Sequence, residues 1–301
     1  MGSTLARLVD RGLARPPRWL AGNVQYETIM GSVAYGVSSD TSDMDVYGWA
    51  IPPRDEVFPH LRGEIIGFGK PGKRFEVYQE HHMADGDALG GKGRSYDLTI
   101  FGIVRFFALA LENNPNVLDS LFTNTECILH STRVGNLVRE NRRQFLHKGA
   151  WAKFKGYAYS QLHKIAIKEP QGKRAELVAA HGYDTKFAYH VVRLVGEVEQ
   201  ILAEQDVDLQ RDRELLKAIR RGEWTTERLR QWFAAKETQL ERLYVESPLR
   251  ATPDEAGIKR LLLECLEEHY GSLAACVVEP DRSVTALRQI QAELDRVRDL
   301  L

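Results

Sequence analysis

The stretch IMGSVAYGVSSDTSDMDVYGWAIPP, residues 29–53, decides how this chain is read. Its first residues close a β-rich run, VQYETIM (24–30), at Gly31-Ser32. A short helical turn, Val33 to Gly36, is expected next, then a polar loop, then Ser42-Asp43-Met44-Asp45 at the head of a second strand, MDVYGWAI (44–51). Backbone N–H groups at a turn of this kind, with a serine hydroxyl, form a small anion site. Gly31 has no Cβ, so a phosphate can approach its backbone closely.

Asp43 and Asp45 stand two apart on a strand, so their side chains share a face. Adjacent carboxylates repel unless a cation lies between them, and Mg²⁺ typically takes one or two carboxylates together with substrate phosphates. A lone D-x-D is usually a solvated loop. A strand, Gly-Ser, a ten-residue gap and D-x-D opening another strand together point to metal-dependent phosphoryl transfer with Mg²⁺, or Mn²⁺.

Outward from this stretch, residues 1–125 hold most of the short β-rich runs. EIIGF (64–68) and RFEVYQEHH (74–82) read as strands around a Gly/Pro loop. That loop, GFGKPGKR (67–74), matches G-x-G-x-x-G and nearly a Walker loop. A strand-like rather than helical sequence follows it, so it reads as a connection. A helical period takes over near Leu98, and Asn114-Pro115 reads as a cap followed by a first-turn proline. Beyond Ser131 the segments are amphipathic helices, as in a bundle. The expected fold class is α+β: a small mixed-sheet domain, residues 1–128, followed by an all-α helical domain, residues 129–301.

The 301 residues carry a formal charge of −1, which argues against a protein that coats nucleic acid unselectively. Three cysteines, Cys127, Cys265 and Cys276, form no C-x-x-C pair and fit a reduced compartment. No apolar run reaches the roughly 20 residues needed to span a bilayer, and the first 20 residues lack a signal-peptide core. A cytoplasmic protein with no membrane partner is expected. His81 and His82 are adjacent and lack a third ligand at suitable spacing, so they do not define a metal site.

The stretch resembles the nucleotidyltransferase superfamily typified by DNA polymerase beta. The fuller pattern G-S-x-A-Y-G…S-D-x-D is similar to the RNA-ligase-associated polymerase (RlaP) family. The resemblance continues through Tyr96-Asp97-Leu98, Asn114–Phe122 and Tyr183–Leu194, covering most of residues 25–205. It implies a polymerase-beta-like catalytic domain and a third carboxylate on a neighbouring strand, a general base or metal ligand. Asp97 fits best, although a helix N-cap is the competing role. Glu76 and Glu80 are fallbacks, and Asp85 and Asp87 are weaker. Catalytic and metal-holding roles thus fall to Asp43, Asp45 and Asp97, and nucleotide-phosphate contacts to Gly31, Ser32 and Ser42.

Lys186, His190 and Arg193 are spaced four and three apart, on one helix face, and lie within the resembling region. Lys186 and Arg193 are expected to neutralise phosphate charge; His190 is either a phosphate contact or a structural histidine. Residues 133–174 hold eleven Lys/Arg against two acids, a local balance of +9, so phosphate contacts are expected across 133–200. The aromatics Trp151 and Phe154 share a stripe with Ala158 and read as core. With the family resemblance, these features imply transfer of NMP from an NTP to an acceptor hydroxyl with release of pyrophosphate, the leading acceptor being an RNA 3′ end in an RNA repair or processing context. Nucleotidylation of a small molecule or of a protein hydroxyl is the rival reaction, and an inactive nucleotide- or nucleic-acid-binding module is the rival class.

Overall fold

The computed structural model describes residues 2–38, 43–167 and 170–276, with a few single positions beyond. Five strands form one mixed sheet: β1 (Val24–Ile29), β2 (Met44–Ala50), β3 (Val77–Asp85), β4 (Arg94–Gly102) and β5 (Ile128–Ser131), in the order β3-β4-β2-β1-β5. β2 and β4 are parallel and the other neighbours antiparallel. Helices fill most of the described chain after β5, so the fold is α+β.

Strand pleating gives the sheet two apolar faces. On one, Val46, Leu98 and Ile100 pack on Leu5 and Leu8 of the helix Thr4–Asp10. Ser3 caps this helix through Ala6 N–H, and the buried Glu27 carboxylate of β1 accepts from the N–H groups of Thr4 and Leu5. On the other, Tyr26 and Trp49 join a core that runs without interruption through Phe106, Leu121, Phe154, Val191 and Leu261. Sheet and helices thus share one interior, and β5 runs across the 128/129 junction.

Two segments differ from the periodicity reading. Leu98–Gly102 is strand, and the helix begins only at Ile103. Leu98, Ile100 and Ile103 are all fully buried, and an apolar run buried on both faces carries no period that separates strand from helix. EIIGF forms no strand: Ile65 and Ile66 are exposed, and Gly67 and Gly69 take positive φ (85° and 72°), which breaks extension. The Gly/Pro loop leads into β3 with no helix after it. The helix Pro115–Phe122 starts as expected, with the Asn114 side chain accepting from Val117 N–H. Trp151, Phe154 and Ala158 are buried as expected.

Candidate active site

The site lies where β2 and β4 begin. Their parallel register sets Asp45 directly beside Asp97, both projecting on the face that meets the helices. Asp97 therefore sits inside a strand neighbouring β2 and caps no helix. Asp43, just ahead of β2, is exposed. The Asp45 carboxyl is raised above its usual range, first by burial and then by Asp97, with Asp43 adding to the effect; Lys186 and His81 oppose it.

The turn after β1 is fitted to this carboxylate. Met30 N–H donates to Asp45 O at 2.7 Å, and the one-turn helix Gly31–Ala34 follows. Gly31 has φ +63°, and a Cβ there would collide with Asp45 Oδ2 and stand 3.0 Å from its Cγ. The glycine is thus needed both for its backbone angle and for the room it leaves the carboxylate. Ser32 is half-buried beside it, while Ser42 falls among residues 39–42, outside the described residues.

Asp97 is held by a feature that adjacency in sequence concealed. Between the pairs Glu80↔Leu98 and Met83↔Tyr96, β3 inserts two residues opposite one, a β-bulge with His82 at φ +56°. His82 N–H donates to Asp97 Oδ1 at 2.7 Å. The bulge brings both rings to the same carboxylate, His81 Nδ1 at 3.6 Å and His82 Nδ1 at 3.8 Å. Two adjacent histidines therefore reach one group, against the alternation expected of a regular strand. The fallback carboxylates are engaged elsewhere: Glu80 accepts from Tyr78 on the far face, Glu76 faces Arg105, and Asp85 pairs with Arg11.

Of the helical stripe, Lys186 is exposed and near enough to act on Asp45. Arg193 is not on the surface. It is 6% exposed, and its Nη1 donates to Tyr35 Oη at 2.8 Å, to Glu197 Oε1 at 3.0 Å and to Asp119. The stripe runs along the helix Thr185–Glu204 at about 1.5 Å per residue, so Arg193 lies about 10 Å deeper than Lys186, inside the core. The expected phosphate contact at Arg193 is thus replaced by a buried ion cluster.

His190 is half-buried between the two. Burial holds its pKa well below the usual value, and Arg193, Lys186, Arg174 and Arg220 push in the same direction. A folded state that refuses this proton loses stability to an unfolded state that accepts it, as pH falls below the usual histidine value of 6.5. His190 is expected to contribute up to about 1.4 kcal/mol per pH unit to that loss. Urea melts at pH 7 and 5.5 should show a smaller acid loss for His190→Gln. His147 and His269, also held low by burial, should keep the rest. Neither Arg174 nor Arg220 was singled out in the sequence; they reach this neighbourhood from other helices, and no local spacing links them to His190.

Among the described residues, five of the eleven cations of the +9 stretch face acids from elsewhere in the fold. Arg133 faces Glu268, Arg143 faces Asp206, Lys153 faces Glu112, Lys155 faces Glu237 and Arg174 faces Asp184. Lys168 lies outside the described residues.

The donor set suits a hard divalent cation. Asp45 and Asp97 offer side-by-side carboxylates whose mutual repulsion a cation would relieve. Among the described residues, no group of three His, Cys, Asp or Glu side chains is poised to hold a metal by itself. Two carboxylates with substrate oxygens completing the shell is the arrangement Mg²⁺ commonly adopts. No helix among the described residues is long and apolar enough to cross a membrane.

Among curated proteins no sequence matches this chain. A solved structure, a nucleotidyltransferase-like protein from Exiguobacterium sibiricum 255-15, is similar at 12% identity and a TM-score of 0.28, over 80% of this chain and 74% of that one. The model of the RNA repair pathway DNA polymerase beta family, RlaP, matches residues 13–269. With most of its length matched, the chain belongs to that family of polymerase-beta-like nucleotidyltransferases.

Proposed function

We propose that this chain transfers a nucleoside monophosphate from an NTP to the 3′ hydroxyl of an RNA, releasing pyrophosphate. The observation that carries the reading is the pairing of Asp45 with Asp97 beneath the Gly31-Ser32 turn, with Lys186 alongside. Asp43 and Asp45 would hold Mg²⁺ or Mn²⁺, with Asp97 completing the site. When bound, the metal supplies positive charge against the phosphates. Asp97, whose Oδ1 accepts from His82 N–H, would take the proton of the attacking hydroxyl. That oxygen bonds to the α-phosphorus as the bond to the β-phosphate breaks. The N–H groups and hydroxyl of Gly31-Ser32 would hold the departing pyrophosphate, with Ser42 and Lys186 assisting.

The RNA acceptor is supported by the repair pathway in the family's description. Five of the eleven cations in the basic stretch are already ion-paired, so it adds less support than its +9 balance suggests. The test incubates the chain with each of the four labelled NTPs, Mg²⁺ or Mn²⁺, and short RNAs ending in a 3′ hydroxyl, a 3′ phosphate or a 2′,3′-cyclic phosphate. Extension of the 3′-hydroxyl RNA alone is expected, and Asp43→Ala should abolish it. Label appearing on protein or on a small polyol instead would overturn the RNA acceptor. NTP consumption that survives Asp43→Ala would overturn the metal-dependent mechanism.

A further inference from the structure

We infer that the helical region acts as a clamp on the Gly31–Val37 segment, with Gln210, Arg220 and Arg193 as positioning residues for its phosphate-holding turn. This rests on the reading that Gly31-Ser32 hold the NTP phosphates.

A one-turn helix cannot hold its own shape, because nucleation fixes several residues for a single hydrogen bond. The Gly31–Val37 segment around this one also contains Gly31 and Gly36, both at positive φ (63° and 66°), so the unfolded segment has many conformations to lose. Within the segment it is supported by Gly36 N–H to Val33 O (3.0 Å), Val37 N–H to Ser32 O (2.9 Å) and a longer Tyr35 N–H to Gly31 O (3.4 Å).

Side chains distant in sequence supply the rest. Gln210 Nε2 donates to Ala34 O at 3.2 Å, and Arg220 Nη1 donates to Val37 O at 2.6 Å. These two satisfy carbonyls at the open end of the turn. Between them, Tyr35 Oη donates to Asp119 at 2.7 Å and accepts from Arg193, whose guanidinium lies 4.4 Å from the ring centroid. Gly36 lies directly against Gln210, with room for no more than a tight Cβ at 3.3 Å. Anchor points at Ala34, Tyr35 and Val37 therefore fix the rotation of the turn about its axis. That rotation sets where the N–H groups of Gly31 and Ser32 point relative to Asp45. The helices thus act on the nucleotide at one remove, through backbone.

Gln210 and Arg220 are half-buried, so changing them leaves the core intact. Arg193, enclosed with two carboxylates, is unsuited to the test because its loss strands buried charge. The experiment measures amide hydrogen exchange across 31–37, with KM and kcat for NTP, in Gln210→Ala, Arg220→Ala and Arg220→Lys. Exchange in 31–37 is expected to rise about tenfold in both alanine variants while strands β2 and β4 stay protected. KM for NTP should rise about tenfold, with a smaller change in kcat. Arg220→Lys keeps a donor for Val37 O and should recover most of both effects. Unchanged exchange in 31–37 would overturn the clamp, as would a KM that stays constant while exchange rises in a protein that turns over NTP. A wild-type chain that binds no NTP would overturn the functional reading instead, and the exchange data would still decide whether the segment is clamped.

Discussion

Asp45→Asn is expected to lower nucleotidyl transfer by on the order of a thousandfold or more and, at the same time, to raise the melting temperature. The two effects have one origin. Asp45 is half-buried, faces Asp97 in register, and has Asp43 two residues before it. Its raised pKa means that the folded state resists its ionisation. An amide of the same shape removes that repulsion, a gain of roughly 1 kcal/mol or about 1.5–2 °C in a chain of this size. It also removes a negative oxygen from the metal-holding pair. Thermal melts without nucleotide and initial rates at saturating NTP and Mg²⁺ check both effects. A variant that loses activity and stability together would mean that Asp45 is structural, and an active variant would remove it from the chemistry.

Gly31→Ala should abolish most activity through a different route, by at least about a hundredfold. The added methyl has two problems. At φ +63° an L-residue is strained by roughly 1 kcal/mol, and the Cβ would occupy the space of Asp45 Oδ2. The carboxylate is the movable party, so the methyl is accommodated by turning Asp45 away from its working position. The strain and the collision separate in a double-mutant cycle. In an Asp45→Ala background the collision is gone, and Gly31→Ala should cost only the backbone strain. Urea denaturation of the four proteins measures the coupling; additive stabilities would show that glycine and carboxylate do not compete for space.

How much of this was legible depends on how local each signal is. The Asn114 cap with Pro115 forms as expected, and the short Gly31…Asp43-x-Asp45 pattern folds as a turn at Gly31 and a strand from Met44, with Asp43 just ahead of it. Leu98–Gly102 escaped because a strand buried on both faces and a helix opening look alike in an apolar run. The bulge at His81-His82 has no mark beyond two polar residues in succession, and only the pairing with β4 reveals it. Arg193 shares a stripe with Lys186, as its spacing said. Spacing gives direction around a helix but not depth along it, and depth is what separates a phosphate contact from a core ion cluster. The Asp119 and Glu197 that receive it lie on two different helices, with Asp119 buried in an otherwise largely apolar one.

The ion-paired basic stretch also bears on thermodynamics. Polyelectrolyte binding is driven largely by counterions released when protein cations replace them along the phosphates, and its steep salt dependence counts those cations. Here Arg133, Arg143, Lys153, Lys155 and Arg174 already have acidic partners within the fold. Paired cations of this kind would release fewer counterions on meeting an RNA than their charge alone suggests. If the acceptor is an RNA, its affinity would then fall less steeply with salt than a free +9 stretch would make it. Recognition would then rest more on the chemistry of the terminus than on the charge of the polymer.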